Sequence, residues 1–569
     1  MLRRPPVLAA LAAALASTLA APAHADDGVS VRSDDGAAAV PTDFSRLVLD
    51  TGRVETTPAE PDLIRFQMHG EEQLRFQAER PFPLDPTATT VLAHPGVATD
   101  SLGQHAFGSH WLRLTPTLQI TDKLTIVAQA DLTGVLVGDL AHDSWADRTP
   151  RDSYDGYSNV QPRWLYAEWL SPVGLLRVGQ QPLHWGMGLV ANDGDHPSLF
   201  GDYRYGDIAE QVLFATKPFG ERSPFVVALA GDLVYRDNFA VLANGDQAWQ
   251  GILAAFYEQG PDMLGVYGVY RHQSTDRTSE PDYFPYADTL DVGVLDAAGH
   301  FARPIDLPGE TAYVFGSFEA ATEIGSTNEE RTAEQILAGQ QTQIRSYGGA
   351  AVAGFVLAGH QAPPRHNARG TRPDLWGRLV AQVEVGYASG DADPNDGVEK
   401  RFVFDPNHKV GLLLFDEVMR WQTARAAVAA MDPNLSNGQR PTPGTGLLPS
   451  NGGVFGAEYV NPTVVYRPRP WLDLKGGAVI AQTTADYVDP YRVAVQGAYV
   501  NYTGGDPKSH DLGVELDGGF EGRVPLDYGW TLQLGAEAGV LFPGAALADA
   551  TGATMKTPWI AIGRAGLQF

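Results

Sequence analysis

The sequence predicts an all-β fold, a closed transmembrane antiparallel β-barrel of about 18 strands, with 16 as the neighbouring possibility. Three observations predict it: apolar residues alternate with a period of two, short and long connections alternate along the chain, and the N-terminus carries an export signal. The 569 residues include 68 acidic and 41 basic side chains and no cysteine. The lack of thiols excludes disulfides and thiolate metal sites, and the net charge of −27 argues against nucleic acid as a partner.

The chain begins with the features of a signal peptide, which we assign to residues 1–25. Arg3 and Arg4 precede an apolar stretch, and Ala23-His24-Ala25 is a small-x-small cleavage site. Residues 26–61 are polar and acidic with little alternation, which predicts a flexible N-terminal segment. Residues 62–569 then form a single barrel.

The apolar runs that follow the signal peptide are long enough for membrane-spanning strands but too short for membrane-spanning helices. No run of about 18 apolar residues is present, and the longest uncharged, mostly apolar stretch, 348–359, has twelve residues. Between 511 and 523 the odd positions hold polar or small residues, including Asp517, and the even positions are apolar or glycine, including Leu516. Eighteen strands with such faces fit the chain, centred near residues 70, 115, 130, 166, 178, 213, 230, 253, 268, 295, 318, 350, 381, 460, 478, 517, 535 and 563.

The connections between these strands alternate in length. Short ones lie at 121–123, 171–174, 219–223, 259–262, 304–310, 467–470 and 525–528, and long ones between them at 139–160, 182–207, 325–342, 390–452 and 486–509. One connection on the short side, about 359–373, is longer than this scheme predicts. Tight turns on the periplasmic side and long loops outside are typical of barrels in the outer membrane of Gram-negative bacteria, so outer-membrane lipid is a predicted partner.

Aromatic residues occur where the strands would meet the lipid–water interface. The predicted interface residues are Trp169, Tyr466, Trp471, Trp530, Trp559 and Phe569. Trp559 and Phe569 lie ten residues apart on one face, a height of roughly 25 Å in a tilted strand. The ending 559–569 resembles the C-terminal strand by which bacterial outer-membrane barrels are recognised for insertion, which implies the barrel assembly machinery as a partner.

Motifs for catalysis are missing from the sequence. It has no His-Glu-x-x-His, no Gly-x-Ser-x-Gly and no phosphate-binding glycine-rich loop before a helix. His184, His196, His272 and His360 have no recognisable ligand spacing. We therefore predict neither a catalytic residue nor a cofactor.

Two segments resemble known channel proteins. The stretch 176–186, LRVGQQPLHWG, resembles a strand-to-loop signature of porins of the alginate-export type, and 386–397, GYASGDADPNDG, is similar to a strand end and acidic loop of the same group. Gln180 stands where that family often has arginine. The resemblance implies an outer-membrane channel and, as an alternative, export of an extracellular polysaccharide.

Charged residues on the polar faces are the predicted pore lining. Arg177 should point inward because Leu176 and Val178 on either side would face lipid. The set has equal numbers of each sign, which permits either a charge filter or ion pairs that stiffen the wall. It comprises Arg65, Arg113, Asp131, Glu168, Arg177, Arg271, Glu319, Arg345, Arg378, Glu384, Lys475, Glu515, Asp517, Glu521, Glu537 and Arg564.

The long connection 390–452 carries two further features. Asp391, Asp393, Asn395 and Asp396 place oxygens at alternate positions that could hold Ca²⁺, although the loop lacks the glycine and glutamate of an EF-hand, and a solvated acidic turn is the favoured interpretation. The apolar residues of 412–421 and the alanine-rich stretch to Met431 predict a short amphipathic helix. A loop of this length is usually functional or disordered, and our hypothesis is that it folds over or into the lumen and narrows it.

Three functions remain open at this point. The leading one is passive diffusion of small hydrophilic solutes through an outer-membrane pore. The second is a dedicated exporter of an extracellular polysaccharide. The third is a surface-binding or structural barrel whose lumen does not conduct.

Overall fold

The computed structural model describes residues 64–80, 106–137, 158–202, 206–220, 222–275, 288–308, 310–328, 335, 338–358, 365–367, 370–372, 377–431, 449–469, 471–526 and 530–569. The predicted signal peptide and the segment 26–61 lie outside these residues, as does part of the connection 390–452.

Eighteen long strands make up the described structure, and every predicted strand centre falls inside one of them. The predicted count is therefore confirmed. The strands are β1 (Arg65–Glu79), β2 (Ala106–Thr121), β3 (Leu124–Val137), β4 (Ser158–Ser171), β5 (Gly174–Pro182), β6 (Ile208–Thr216), β7 (Phe225–Arg236), β8 (Asp246–Gln259), β9 (Asp262–Thr275), β10 (Asp288–Leu307), β11 (Glu310–Thr327), β12 (Thr342–Ala358), β13 (Gly377–Ala388), β14 (Ala457–Arg469), β15 (Leu472–Thr483), β16 (Asp511–Pro525), β17 (Thr531–Pro543) and β18 (Trp559–Gln568).

The sheet closes on itself. Each strand pairs antiparallel with the next one along the chain, and β1 also pairs with β18, where Glu71 lies opposite Gln568. Next to this seam, Gly70 and Phe569 exchange backbone hydrogen bonds of 2.9 and 3.0 Å. A closed antiparallel barrel leaves no unpaired sheet edge, which is the condition for crossing lipid with strands.

The two faces of the wall differ as the alternation predicts. On β16, Leu516 and Phe520 are 46% and 47% exposed on the outer face, whereas Glu515, the residue before Leu516, is fully buried. The apolar side chains thus point away from the barrel and the charged ones into it. This is the reverse of a soluble β protein and is typical of a barrel surrounded by lipid.

The remaining elements are short. Helix α1 (Arg420–Met431) continues a π-helical turn at Leu414–Met419, and helix α2 (Pro490–Gln496) lies in the connection after β15. A hairpin of Arg365–Asn367 with Gly370–Arg372 lies in the unexpectedly long connection between β12 and β13, and Val398–Glu399 pairs in parallel with β12. None of the helices among the described residues is long and apolar enough to span a membrane.

Candidate functional site in the barrel lumen

The structure places most predicted lining residues on the inward face of the wall. Arg113, Asp131 and Arg271 are 3%, 1% and 0% exposed. Strand alternation puts the half-buried members on the same face. The inward set is Arg65, Arg113, Asp131, Glu168, Arg177, Arg271, Glu319, Arg378, Glu384, Lys475, Glu515, Asp517, Glu521, Glu537 and Arg564.

Arg345 corrects the prediction, because it lies on the outer face. Its side chain is exposed, while Ile344 and Ser346 on either side are 0% exposed. It lies opposite Ile324, which is 64% exposed on the neighbouring strand. At the start of β12 the apolar residue Ile344 points inward and the charged Arg345 points outward. Polarity alone therefore assigns the wrong face.

The connection between β5 and β6 folds into the lumen. We call its described part, residues 183–202 and 206–207, inner loop 1. Glu319 on β11 accepts the backbone N–H groups of Met187 (2.5 Å), Leu189 (3.2 Å) and Val190 (3.2 Å). Gly186 has a φ of +57°, and a Cβ there would lie 2.5 Å from a Glu319 oxygen. The turn at Gly186 therefore places its backbone N–H groups around the Glu319 carboxyl group of the wall, and the absence of a side chain at Gly186 makes the close approach possible.

Inner loop 1 contacts the wall on opposite sides of the barrel. On β10, Asp296 accepts the indole N–H of Trp185 at 2.9 Å. On β15, Lys475 donates to the Leu199 carbonyl at 3.1 Å, and on β18, Arg564 donates to the Gly201 carbonyl at 3.1 Å. Contacts with strands so far apart in the sheet order mean that the loop crosses the lumen.

The connection between β13 and β14 also turns inward. We call its described part, residues 389–431 and 449–456, inner loop 2. Glu515 on β16 accepts the backbone N–H groups of Leu412 (2.5 Å), Leu413 (2.7 Å) and Leu414 (2.6 Å). A Cβ on Gly411, which has a φ of +73°, would lie 2.6 Å from the same carboxylate. Inner loop 2 thus repeats the attachment of inner loop 1, with a wall carboxyl group at the first amides of a helical segment.

A helix lies where the sequence predicts one, over 414–431, but its buried residues are not confined to one face. Leu413, Leu414 and Phe415 are consecutive and each 0% exposed, and Gln422 and Thr423 are buried as well. An amphipathic helix at a surface would leave one face in water. Residues 414–426 contact the wall, where Glu515 accepts the Leu414 N–H, and the connection after β15, where the Tyr487 hydroxyl donates to Gln422 at 2.8 Å, so this part of the segment is covered on more than one side.

The two inner loops contact each other and the wall at His408. Its Nδ1 lies 3.1 Å from the Met187 carbonyl, and its Nε2 lies 2.9 Å from Glu384 on β13. The Glu384 carboxylate also accepts the Tyr459 hydroxyl at 2.5 Å. One imidazole therefore joins both loops to the wall.

Charged groups in the lumen are paired across strands and to the loops. Arg113 donates to both oxygens of Asp131 at 2.8 and 2.9 Å and to Asp195 of inner loop 1 at 2.6 Å. Arg163 is 0% exposed and donates to Gln129 and to the Asp193 carbonyl, each at 2.6 Å. Buried charges need such partners because desolvation penalises an isolated ion heavily.

Sequence reasoning missed several members of this interior. Among the described residues, the fully buried side chains include 18 carboxyl groups and 9 arginines, although the inward set named above is nearly balanced. Strand alternation could have identified Glu323, because it shares a face of β11 with Glu319. Asp296 shares its inward face with Val292 and Val294, and Arg163 lies at a register shift between β3 and β4, so alternation gives neither a clear signal. The loop residues Asp207 and Asp405 carried no comparable signal.

The predicted Ca²⁺ residues use their oxygens locally. Asp391, Asp393 and Asp396 accept the backbone N–H groups of residues two positions further on at 2.8–3.1 Å, and Asp396 also pairs with Lys400. Such local hydrogen bonds are typical of an acidic turn, and the calcium interpretation stays a prediction.

The predicted interface aromatics lie near both rims of the barrel. Trp169, Tyr466, Trp471 and Trp530 are 42–48% exposed beside the short turns, and Trp559 is 42% exposed at the opposite rim. The Phe569 ring lies 5.3 Å from that of Trp530.

Comparison with known proteins yields matches among solved structures alone. No family model and no curated protein matches the chain. Similar structures include OccAB1 of Acinetobacter baumannii, with 8% identity, 90% of this chain and 100% of that chain covered and a TM-score of 0.44. OccK8 (OprE) of Pseudomonas aeruginosa has 8% identity, 88% and 98% covered and a TM-score of 0.43.

The outer membrane protein OprD of Pseudomonas aeruginosa is similar at the same level, with 9% identity, 90% of this chain and 96% of that chain covered and a TM-score of 0.41. Identities and TM-scores this low carry no argument about a substrate. The barrel is established by the strand pairing of this chain itself, and the resemblance to alginate-export porins stays a prediction.

Proposed function

We propose that the protein is an outer-membrane channel for small hydrophilic solutes. The observation that carries the proposal is a closed 18-strand wall with apolar residues outside and charged residues inside, whose lumen is crossed by two loops fixed to wall carboxylates. Barrels of 16–18 strands have room for an aqueous channel, and loops inside them narrow that channel.

The charge of the interior supports a preference for cations. Buried carboxylates outnumber buried arginines two to one in the described part of the chain. Several arginines are already neutralised, including Arg113 by Asp131 and Arg177 by Glu168, whose closest N···O distance is 2.7 Å. Carboxylates lining a pore favour passage of cations.

The pairing of lumen arginines with carboxyl groups argues against export of a polyuronate, because an anionic polymer would need unpaired basic groups along its path. A polysaccharide exporter for a neutral polymer remains the second candidate, supported by the resemblance at 176–186. A closed, non-conducting barrel is the third, and the dense apolar packing of Leu189, Leu413 and Phe415 inside the lumen supports it.

The test is the reversal potential of the purified protein in a planar bilayer under a KCl gradient. We expect a conducting pore with cation over anion permeability. Glu521→Gln should move the reversal potential towards zero because the carboxylate faces the lumen, whereas the matched Asp262→Asn, at a short turn, should leave it unchanged. Silence would favour the closed barrel, and an anion-selective pore would overturn the cation preference. Loss of secreted polymer on deletion, with solute uptake intact, would favour the exporter.

A further inference from the structure

Two histidines and one aspartate of inner loop 1 converge inside the barrel. His184 lies two residues after the end of β5, and Asp193 and His196 lie a short way further along the loop. One ligand atom from each of the three residues lies within 4.8 Å of the other two. His196 Nδ1 is 2.9 Å from an Asp193 oxygen, and His184 Nδ1 is 4.0 Å from it.

The carboxyl group at the centre of this cluster is held in place. Its Oδ1 accepts the Asp195 backbone N–H at 2.9 Å, and the Asp193 carbonyl accepts from Arg163 at 2.6 Å. A ligand that is already held in place lowers the cost of ordering the site when an ion binds.

The histidine rings lie side by side, and one of them must turn before both can bind one ion. They stack with centroids 3.8 Å apart and planes inclined by 15°. A metal ion lies in the plane of each imidazole that binds it, and nearly parallel planes do not meet at one ion, so the His196 ring must turn out of the stack about its side-chain torsions. His196 has room for that rotation, because its side chain is 41% exposed whereas His184 is 12% exposed. The exposed side also leaves a position for water.

The local charge admits a divalent cation. Arg113 and Arg163 lie beside this part of inner loop 1, and they face Asp131, Asp193 and Asp195. Three carboxylates against two guanidinium groups leave one negative charge when the histidines are neutral.

From this geometry we infer that His184, Asp193 and His196 form a binding site for a first-row transition-metal ion of the Zn²⁺ type, open at one coordination position to the lumen. Two imidazoles with one carboxylate suit Zn²⁺, Co²⁺, Ni²⁺ or Cu²⁺, whereas Ca²⁺ and Mg²⁺ prefer oxygen ligands alone. Metal binding would tie the end of β5 to the middle of inner loop 1. The inference is independent of whether the lumen conducts.

The experiment is a titration of tag-free, full-length protein in detergent with CoCl₂ followed by visible absorption, and with ZnCl₂ followed by calorimetry. We expect one ion per chain and the intense d–d absorption of four-coordinate Co²⁺. His184→Ala and His196→Ala should each weaken binding at least tenfold. Asp193→Asn, which keeps an oxygen for the Asp195 N–H, should weaken binding without disturbing the loop.

His272→Ala is the matched control, because His272 also pairs with an aspartate, Asp291 at 2.8 Å, but lacks a second histidine partner in that pair. Its binding should equal that of the unchanged protein. Circular dichroism identifies any variant that has not folded. The inference is overturned if the unchanged protein binds neither ion, if the His184→Ala/His196→Ala double variant binds as well as the unchanged protein, or if CaCl₂ competes as effectively as ZnCl₂.

Discussion

Glu515 on the barrel wall accepts the backbone N–H of Leu413 at 2.7 Å, and the amides on either side of Leu413 donate to the same carboxylate. Glu319 makes an equivalent set of contacts with inner loop 1. Two loops are thus held inside the barrel by the same arrangement, a buried carboxyl side chain from the wall and a run of loop amides. Each carboxyl group accepts three backbone N–H groups that would otherwise be buried without a partner, so each attachment is a major restraint on its loop.

The first prediction concerns release of inner loop 2 by Glu515→Gln. A glutamine has one acceptor oxygen and a donor NH₂ group, so at least one buried amide loses its partner at a cost of about 1–3 kcal/mol. The natural chain has no cysteine, so a Val418→Cys probe can be labelled with a maleimide without background. Labelling should accelerate about tenfold or more in the Glu515→Gln background.

Glu521→Gln provides the control for that measurement. Glu521 lies on the same strand and contacts Lys475 and Arg523, and it makes no hydrogen bond to an inner loop among those the structure describes. The probe should then label at the rate of the unchanged background. Equal labelling in the Glu515→Gln and Glu521→Gln backgrounds would show that the carboxylate does not hold the loop.

The wall could be predicted from the sequence, and so could a loop at 390–452 that enters the lumen, but the attachments of the two inner loops could not, for a physical reason. Strand alternation is a local property, so the faces of β16 can be assigned from Asp517 and Leu516 alone. The partners of Glu319 and Glu515 are backbone amides. Nearly every residue type has a backbone N–H group, so only the glycines that the turns require, such as Gly186 and Gly411, indicate these contacts in the sequence. His184 and His196 likewise meet only because inner loop 1 doubles back.

The second prediction compares a buried and an exposed ion pair. Asp131→Asn leaves Arg113 buried with one carboxylate partner fewer, and we expect a loss of about 3–5 kcal/mol in the free energy of unfolding. The matched Asp262→Asn removes the partner of Arg303, whose side chain is 59% exposed, and should cost less than about 1 kcal/mol. Urea unfolding of both variants in the same detergent measures the difference. Similar losses would mean that the lumen is as well hydrated as the turn.

The third prediction is a decline of stability with rising pH, caused by two groups of inner loop 2. Burial lowers the pKa of His408, but the charge of Glu384 and its hydrogen bond outweigh burial and leave that pKa raised. Burial raises the pKa of Asp405 to about 7. Both groups hold their protons more tightly in the folded protein, so the free energy of unfolding falls as pH rises through those values.

The pH windows of the two groups differ. The contribution of Asp405 is lost between about pH 4 and pH 7, and that of His408 is complete below about pH 6.5 and lost above it. His408→Gln should therefore be less stable than the unchanged protein at pH 5 and equally stable at the alkaline end, and Asp405→Asn should flatten the fall at lower pH. Unfolding in urea from pH 5 to about pH 9 tests this. A constant difference between His408→Gln and the unchanged protein would contradict the assignment.

The fourth prediction concerns barrel closure at Gly70. A Cβ at this position would overlap the Phe569 ring, and the backbones of the two residues are hydrogen-bonded to each other. Gly70→Val should therefore displace the ring and slow folding of the barrel into lipid vesicles, because β1 and β18 pair where the sheet closes. Phe569→Ala removes the obstacle, so the Gly70→Val/Phe569→Ala double variant should fold faster than Gly70→Val alone. Gly251→Val is the control, because a Cβ at Gly251 would meet no atom within 4 Å. If both valine variants fold at the same rate, the Phe569 ring does not govern closure.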